Sequence, residues 1–464
     1  MNRTNQPLIT IYVTNHNYGR FLRQAVNSLF EQTFQDFEII LIDDGSTDNS
    51  QEIIENYFTN TGIQIIYQKN QGLNVTNNIA LRVARGKYIM RLDADDYLDK
   101  NALLVMSNIL EKDEELGLVF PDYYLVDVDG NILGLERRHT FDKDVTLFDQ
   151  PAHGACTMIR RNFLLDAGGY NESFACQDGY DLWVKFVTKY KVTNVNLPLF
   201  YYRRHGSNLT KNEGRLLSTR YEIKRLHFDK HYAPIKTIAL LPIRGPKINP
   251  GSYDLEMLGD KVVIDWIIEE ALRADKISHL IVTSPDEQIK AHVLTRYRVH
   301  PKFLFYERVE KQARLNVGLI ETVQEILVHP EIQQLKAVAL LRLSSEYPFI
   351  TSDNMNDAIH TMAIFGADSV ISVRPETNLF FQHMGNGLEP ILNRDKFTRL
   401  EREALYRFTG GLNLTKIALF EEQKTFLGGR VGHIVIQQKE SLSLQSDFEL
   451  QLARLIASQT AKVH

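Results

Sequence analysis

The sequence predicts an α/β protein made of two doubly wound domains in series, each a mostly parallel sheet with helices on both faces. Three observations predict it. Over the first hundred residues, short β-rich apolar runs alternate with stretches of helical periodicity. The same alternation starts afresh at Thr237 with TIALLP. In the first series the polar clusters Thr14–Asn17, Asp43–Asp48 and Asp93–Asp96 all follow apolar runs. They therefore fall at strand carboxyl ends, where open parallel sheets bind ligands.

The elements follow in order. Leu8–Thr14 is a strand, and Phe21, Leu22, Ala25, Val26, Leu29 and Phe30 recur at helical spacing. Phe37–Ile42 is a buried strand, closed by Asp43-Asp44-Gly45-Ser46 and followed by a helix that Asp48 or Ser50 caps. Ile63–Tyr67 is a strand, Val75–Ala84 a helix, and Lys87–Leu92 a strand that runs into Asp93-Ala94-Asp95-Asp96. Arg215–Phe228 is an amphipathic helix broken at His231-Tyr232-Ala233-Pro234, which bounds a first domain at 1–232 and a second at 236–464. The second continues with a helix at Val262–Arg273, a strand at His279–Thr283, a helix from Asp286, and strands near Ala337–Leu341 and Ser369–Val373.

Composition narrows the function. A chain of 464 residues with 44% hydrophobic content can bury two cores. A net charge of −5 argues against a nucleic-acid partner. The two cysteines, Cys156 and Cys176, read as free thiols of a reducing cytoplasm. Leu8–Val13 is too short for a signal peptide, and no run of about 18 apolar residues predicts a transmembrane helix, so any membrane contact is peripheral. At the first rim, carboxylates at a strand end suit a hard cation, Mn²⁺ or Mg²⁺, bridging to a diphosphate.

The stretch ITIYVTNHNYGRFLRQAVNSLFEQTFQDFEIILIDDGSTDNS carries a resemblance that continues through Asn70-Gln71-Gly72, Asn78 and the 84–89 segment into LDADD. Over about residues 7–210 the chain resembles inverting family 2 glycosyltransferases of the GT-A fold. That resemblance implies a nucleotide-sugar donor and a saccharide, lipid-linked or protein acceptor. It places Thr14, His16, Asp44, Asn78, Asp93, Asp95 and Arg203 at the donor, with Asp44 accepting from the base, typically uracil. It assigns the metal to Asp95, Asp96 and His205. His16 stands where the family more often has Tyr, and Asn77 where Arg is common. FACQDGYDLW at 174–183 resembles the segment that opens a helix under the acceptor, which makes Asp178 the base, with Asp181 as the alternative. A carboxylate suffices there because the hydroxyl acidifies as the new bond forms, and partial burial tunes a carboxyl towards that task. His153-Gly154-Ala155 matches a small-residue turn near the donor sugar.

From TIALLPIRGPKINPGSYDLEMLGDKVVIDWIIEEALRADKISHLIVTS onward the chain resembles sugar cytidylyltransferases, so both domains are expected to be Rossmann-like, the second nucleotidyltransferase-like. RLSSEYP at 342–348, ADSVISV at 367–373, Thr409-Gly410-Gly411 and SDFELQLA at 446–453 fit. The phosphate-gripping loop is poor, however. Arg244 is kept and Lys247 is a candidate, but Pro246 and Pro250 remove N–H donors. The family's second basic position falls near Tyr253 or Asp254, its first metal carboxylate at Glu346, and its second at Gln445, which is not ionisable. The resemblance thus implies a degenerate domain that serves dimerisation or docking, in a homodimer; the alternative is a bifunctional enzyme. A scaffold that binds sugar nucleotides without turning them over is a further alternative, opposed by Asp44, Asp95, Asp96 and Asp178.

Overall fold

A computed structural model describes residues 6–137, 154–205, 212–376, 378, 380–383, 385, 387–391 and 405–460. The chain divides into two compact units, residues 1–223 with 378–403, and residues 224–377 with 404–464. The division falls inside the helix Glu213–His231.

In chain order the first unit contains β1 (Ile9–Asn15), α1 (Gly19–Phe30), β2 (Phe37–Asp44), α2 (Ser50–Tyr57), β3 (Gln64–Gln68), α3 (Leu73–Val83), β4 (Tyr88–Asp93), β5 (Tyr97–Leu98), α4 (Ala102–Lys112), β6 (Leu116–Val126), β7 (Ile132–Glu136), β8 (Met158–Arg160), α5 (Arg161–Asp166), α6 (Asp178–Val187) and β9 (Lys191–Arg203), and α7 (Glu213–His231) begins in it. The sheet order is β3-β2-β1-β4-β8-β6-β9-β5, with β7 on β6. The first four strands are parallel, as predicted. Beyond β4 the sheet is mixed, which corrects the expectation of a mostly parallel sheet: β8 runs antiparallel to both β4 and β6. β7 also runs antiparallel to β6, and there the reason is local. Helical crossovers join the first strands, whereas β6 and β7 are joined by a tight turn whose Asp127 N–H donates to Asn131 O and whose Gly130 N–H donates to Asp127 O, and tight turns pair strands antiparallel.

Both faces of this sheet are covered. Ile9, Ile11 and Val13 point to one core with Leu22, Ala25, Val26 and Leu29 of α1. Tyr12, Ile40 and Ile42 point to the other with Ala80, Leu81 and Trp183. The i, i+3, i+4, i+7 spacing in α1 is what aims its four residues inward, and each buried leucine contributes about 2 kcal/mol. Phe30, predicted on that face, is instead exposed. Asn49, rather than Asp48 or Ser50, occupies the cap position of α2, although Asp48 accepts from the Ser50 and Gly19 N–H groups at 3.0 Å each.

The second unit holds a seven-stranded sheet in the order Phe303–Glu307, Ile277–Ser284, Thr237–Pro242, Ala339–Leu343, Leu405–Lys416, Ser369–Glu376 and Val431–Val435. The first four are parallel, and Leu405–Lys416 is antiparallel to both neighbours. Asp286 caps the helix Glu287–Tyr297 by accepting from Gln288 and Ile289 N–H. Among the described residues no helix is long and apolar enough to cross a membrane.

One histidine of this unit makes stability depend on pH. Burial, then the charges of Lys224 and Lys276, push His360 down to about 3, with Asp229 and Asp275 acting in the opposite sense. Its ring lies 4.8 Å from that of Phe228. A folded value below the ordinary 6.5 means the unfolded chain takes up the proton first. The stabilisation is therefore complete above pH 6.5 and is lost as pH falls from there towards 3, at up to about 1.4 kcal/mol per unit. Thermal unfolding from pH 7.5 to 5 should show this slope, and His360→Gln should flatten it. An unchanged slope in the variant would assign the acid sensitivity to other groups.

Candidate active site

Strand register brings the rim together. Thr14 pairs with Asp93 across β1 and β4, and Asn15 with Asp43 across β1 and β2. The polar residues that end three apolar runs are thus neighbours at one sheet edge. Thr14 Oγ1 donates to Asp93 Oδ1 at 2.8 Å. Asn15 Nδ2 donates to Asp43 Oδ2 at 2.7 Å, and Ser46 N–H to Asp43 Oδ1 at 2.9 Å.

Asp44 clamps the segment that leads into α3. Its Oδ1 accepts from Gln68 Nε2 at 2.7 Å and from Gln71 N–H at 2.8 Å, and its Oδ2 from Gly72 N–H at 2.9 Å. Gly72 has φ +89°, a conformation that side chains resist, so glycine is needed for this approach. A carboxylate accepts about four hydrogen bonds, so one lone-pair direction on Oδ2 remains for a further N–H. Beside it His16 Nδ1 lies 2.9 Å from Asp44 O, and Asn70 Nδ2 lies 3.1 Å from His16 Nε2.

The acidic cluster sits at the end of β4. Asp95 Oδ2 lies 2.8 Å from His205 Nε2, and the His205 ring packs against Phe21 and Tyr18 with centroids 6.0 and 5.5 Å away. Burial, then the charge of Asp93, raises the Asp95 carboxyl, against the opposing bond to His205. Burial, then Asp95 and Asp93, holds Asp96 well above the ordinary carboxylate range. Burial and the same three charges push Tyr202 up to about 12. Asp96 Oδ1 accepts from Arg203 N–H at 2.8 Å, while its buried Oδ2 has no hydrogen-bond partner among the described residues.

Arg203, which the resemblance places at the donor, packs inside the fold. Its side chain is buried, donating from Nε to Asp95 O, from Nη1 to Asp127 O and Val128 O, and from Nη2 to Gln24 Oε1. It braces the acidic loop from beneath and does not reach the rim. Asn78 likewise does not join the cluster. Its amide exchanges bonds with the backbone of Tyr170 and donates to Glu172, pinning that loop to α3. Asn77 is buried and accepts from Tyr12 Oη.

Asp178 heads α6, with Gln177 before it in the left-handed region at φ +64°. It does not lie in apolar surroundings: Arg91 Nη1 donates to its Oδ2. Asp181 is buried and bonded to Lys185 Nζ at 2.6 Å, a structural pairing. Cys156 and Cys176 are buried free thiols. His153 lies outside the described residues; Gly154 is described. The sequence reading missed Arg91. Its signal was a basic residue inside the buried run YIMRL, because such a charge needs partners.

Among the described residues no three His, Cys, Asp or Glu side chains form a metal-binding group. Mg²⁺ is usually held by one or two carboxylates with water and phosphate oxygens completing the shell. The buried, unpartnered Asp96 Oδ2 and the Asp95–His205 pair fit such a shared site.

A second constellation lies wholly in the second unit. A cavity of about 310 Å³ is lined by Arg244, Arg308, Arg342, Asp254 and Glu346, among others. Burial, then the charge of Arg244, pushes Arg308 down to about 10. Burial, then Asp254, raises Glu346. Lys247 turns to Glu310 at 2.8 Å and does not line the cavity.

Comparison with known proteins agrees with the first site. Residues 10–166 match the family Glycosyl transferase family 2. The chain is 27% identical over 241 residues to a chondroitin synthase of Escherichia coli, covering 50% of this chain and 35% of that one. It is 30% identical over 205 residues to a chondroitin synthase of Pasteurella multocida, covering 44% and 21%. The chain therefore spans about a third or less of these two curated relatives. Among solved structures, Staphylococcus aureus TarS 1–349 in complex with UDP-GlcNAc aligns at a TM-score of 0.39 and 20% identity, covering 47% of this chain and 64% of that one.

Proposed function

We propose that the chain is an inverting glycosyltransferase that moves a sugar from a UDP-linked donor to an acceptor hydroxyl in the assembly of a bacterial surface polysaccharide or glycoprotein. The observation that carries it is one edge of one sheet. Thr14, His16, Asp44, Asp93, Asp95, Asp96 and His205 gather there, and Asp178 faces them through Arg91. The base of the nucleotide donates an N–H to the lone-pair direction left on Asp44. Uracil offers its ring imide N–H for this. Asp95, Asp96 and His205 would hold Mn²⁺ or Mg²⁺, which would neutralise charge on the leaving diphosphate.

Asp178 takes the proton of the acceptor hydroxyl as that oxygen attacks the anomeric carbon. The bond from that carbon to the diphosphate oxygen breaks on the opposite face, and the nucleoside diphosphate leaves with the electron pair. Configuration inverts, and no covalent enzyme intermediate forms. The match to chondroitin synthases supports a polysaccharide product. The catalytic domain works in the cytoplasm, peripherally at the inner membrane face. The test is a panel of UDP-, GDP-, TDP- and CMP-sugars, screened by thermal shift and then for donor turnover with Mn²⁺. No binding and no turnover across the panel would sink the reading.

The second unit is a cytidylyltransferase-like domain that pairs two copies of the chain or docks a partner. Gln445 cannot serve as a metal carboxylate, Lys247 is spent on Glu310, and the prolines of the loop withhold N–H donors. The arginine-lined cavity is the observation that favours the bifunctional alternative. With CTP and acidic sugars the protein should release no pyrophosphate above background. Robust release would establish a second activity.

A further inference from the structure

A cation within a buried strand is costly unless paired and hydrogen-bonded. In β4 that cation is Arg91, whose side chain is 4% exposed. Its three nitrogens divide between two carboxylates. Nη1 donates to Asp178 Oδ2, Nε lies 2.9 Å from Asp93 Oδ1, and Nη2 donates to Asp93 Oδ2 across a long 3.4 Å. The Nε contact lacks hydrogen-bond alignment. The arm to Asp93 is thus held chiefly by charge, and the arm to Asp178 is the directed one. Space around the pair is closed as well. A Cβ on Gly154 would come within 2.6 Å of Asp178 Oδ2 and 2.7 Å of Arg91 Nη2, so a side chain there would displace the pair.

The two carboxylates have different tasks. Asp93 belongs to the donor edge, bonded to Thr14. Asp178 is 87 residues from Arg91 in sequence and sits on the first turn of α6, where the helix N-terminus favours an anion. The helix fixes the backbone of Asp178 but leaves its carboxyl free to turn about χ1 and χ2. The guanidinium removes that freedom.

We propose that Arg91 is a positioning residue of the transfer reaction, fixing the Asp178 carboxylate at the acceptor side and tying its place to Asp93 on the donor side. The proposal rests on the reading of Asp178 as the base. Small misplacements of a reacting group cost about 100-fold, so Arg91→Gln should lower kcat by roughly that factor while the donor KM moves less than about threefold. Arg91→Lys keeps the charge but can direct only a point ammonium, and should recover about tenfold of the loss.

The decisive measurement is the double variant. If Arg91 acts through Asp178, adding Arg91→Gln to Asp178→Asn should reduce residual transfer, followed with radiolabelled donor, by less than about threefold. The double variant also removes a charge together with its counter-charge, so it keeps the test open where the single variant, with two facing carboxylates, loses stability. A wild-type kcat in Arg91→Gln would overturn the proposal, and so would a further tenfold loss in the double variant. A folded wild-type protein that transfers no sugar would remove the base reading itself, and the role of Arg91 with it. An active wild type beside an unaffected Arg91→Gln would remove only the latter.

Discussion

Asp178→Asn should lower transfer by roughly 10²–10⁴-fold, the usual contribution of a positioned general base, with donor affinity changed only a few-fold. The amide is isosteric with the carboxyl but cannot take a proton from the acceptor hydroxyl. Its Oδ1 still accepts from Arg91, so the loop 154–156 and the start of α6 should keep their places. Thr14, Asp44 and Asp95 lie on the donor side and are untouched. Product formation and calorimetric donor binding, measured on the same preparation, separate the two quantities. Turnover within threefold of wild type would place the base elsewhere. Asp181 is a poor substitute because its carboxylate is buried against Lys185.

Asp95→Asn should act in two opposite directions. The anion that faces His205 is lost, and with it a cation ligand at the diphosphate. Metal ions contribute several kcal/mol to such transition states, so kcat/KM should fall by roughly 10²–10³-fold and respond weakly to added Mn²⁺. Stability should move the other way. Burial and the charge of Asp93 raise the folded-state value of Asp95 above its unfolded one. The carboxyl is therefore tolerated best when protonated, its stabilisation being lost as pH rises through that raised value. At pH 7 the neutral amide should give a higher melting temperature. A variant that is inactive and also less stable would show that the bond to His205 outweighs the crowding of charge.

Much of this was legible in the sequence, for identifiable reasons. The parallel half of the first sheet followed from apolar runs alternating with helical spacing, which burial on both faces enforces. Asp44 and Asp95 could be picked out because each lies at the end of an apolar run, and Asp178 through the resemblance that FACQDGYDLW carries. Arg203 and Asn78 could not be judged in the same way. A side chain's direction depends on residues far off in the chain: Gln24 and Asp127 for the one, Tyr170 for the other. The resemblance places Arg203 at the donor, and only packing shows that its donors point to carbonyl oxygens. The mixed half of the sheet was hidden because strand direction there is set by tight turns and long returns, which leave no periodic signature. Arg91 was visible as an anomaly within a strand, but its two partners, one two residues on and one 87 away, were not.

The contacts that make the site span long stretches of chain. Thr14 meets Asp93 across 79 residues, Arg91 meets Asp178 across 87, and Asp95 meets His205 across 110. Closing loops of that length is slow compared with forming helices or neighbouring strand pairs. During synthesis β1 to β4 leave the ribosome well before α6 and β9 exist. A nascent chain can thus own most of its first sheet while lacking the base and the histidine. Competence for chemistry is acquired last, when the residues near 178 and 205 arrive, so a stalled or truncated first unit would be folded in part and silent.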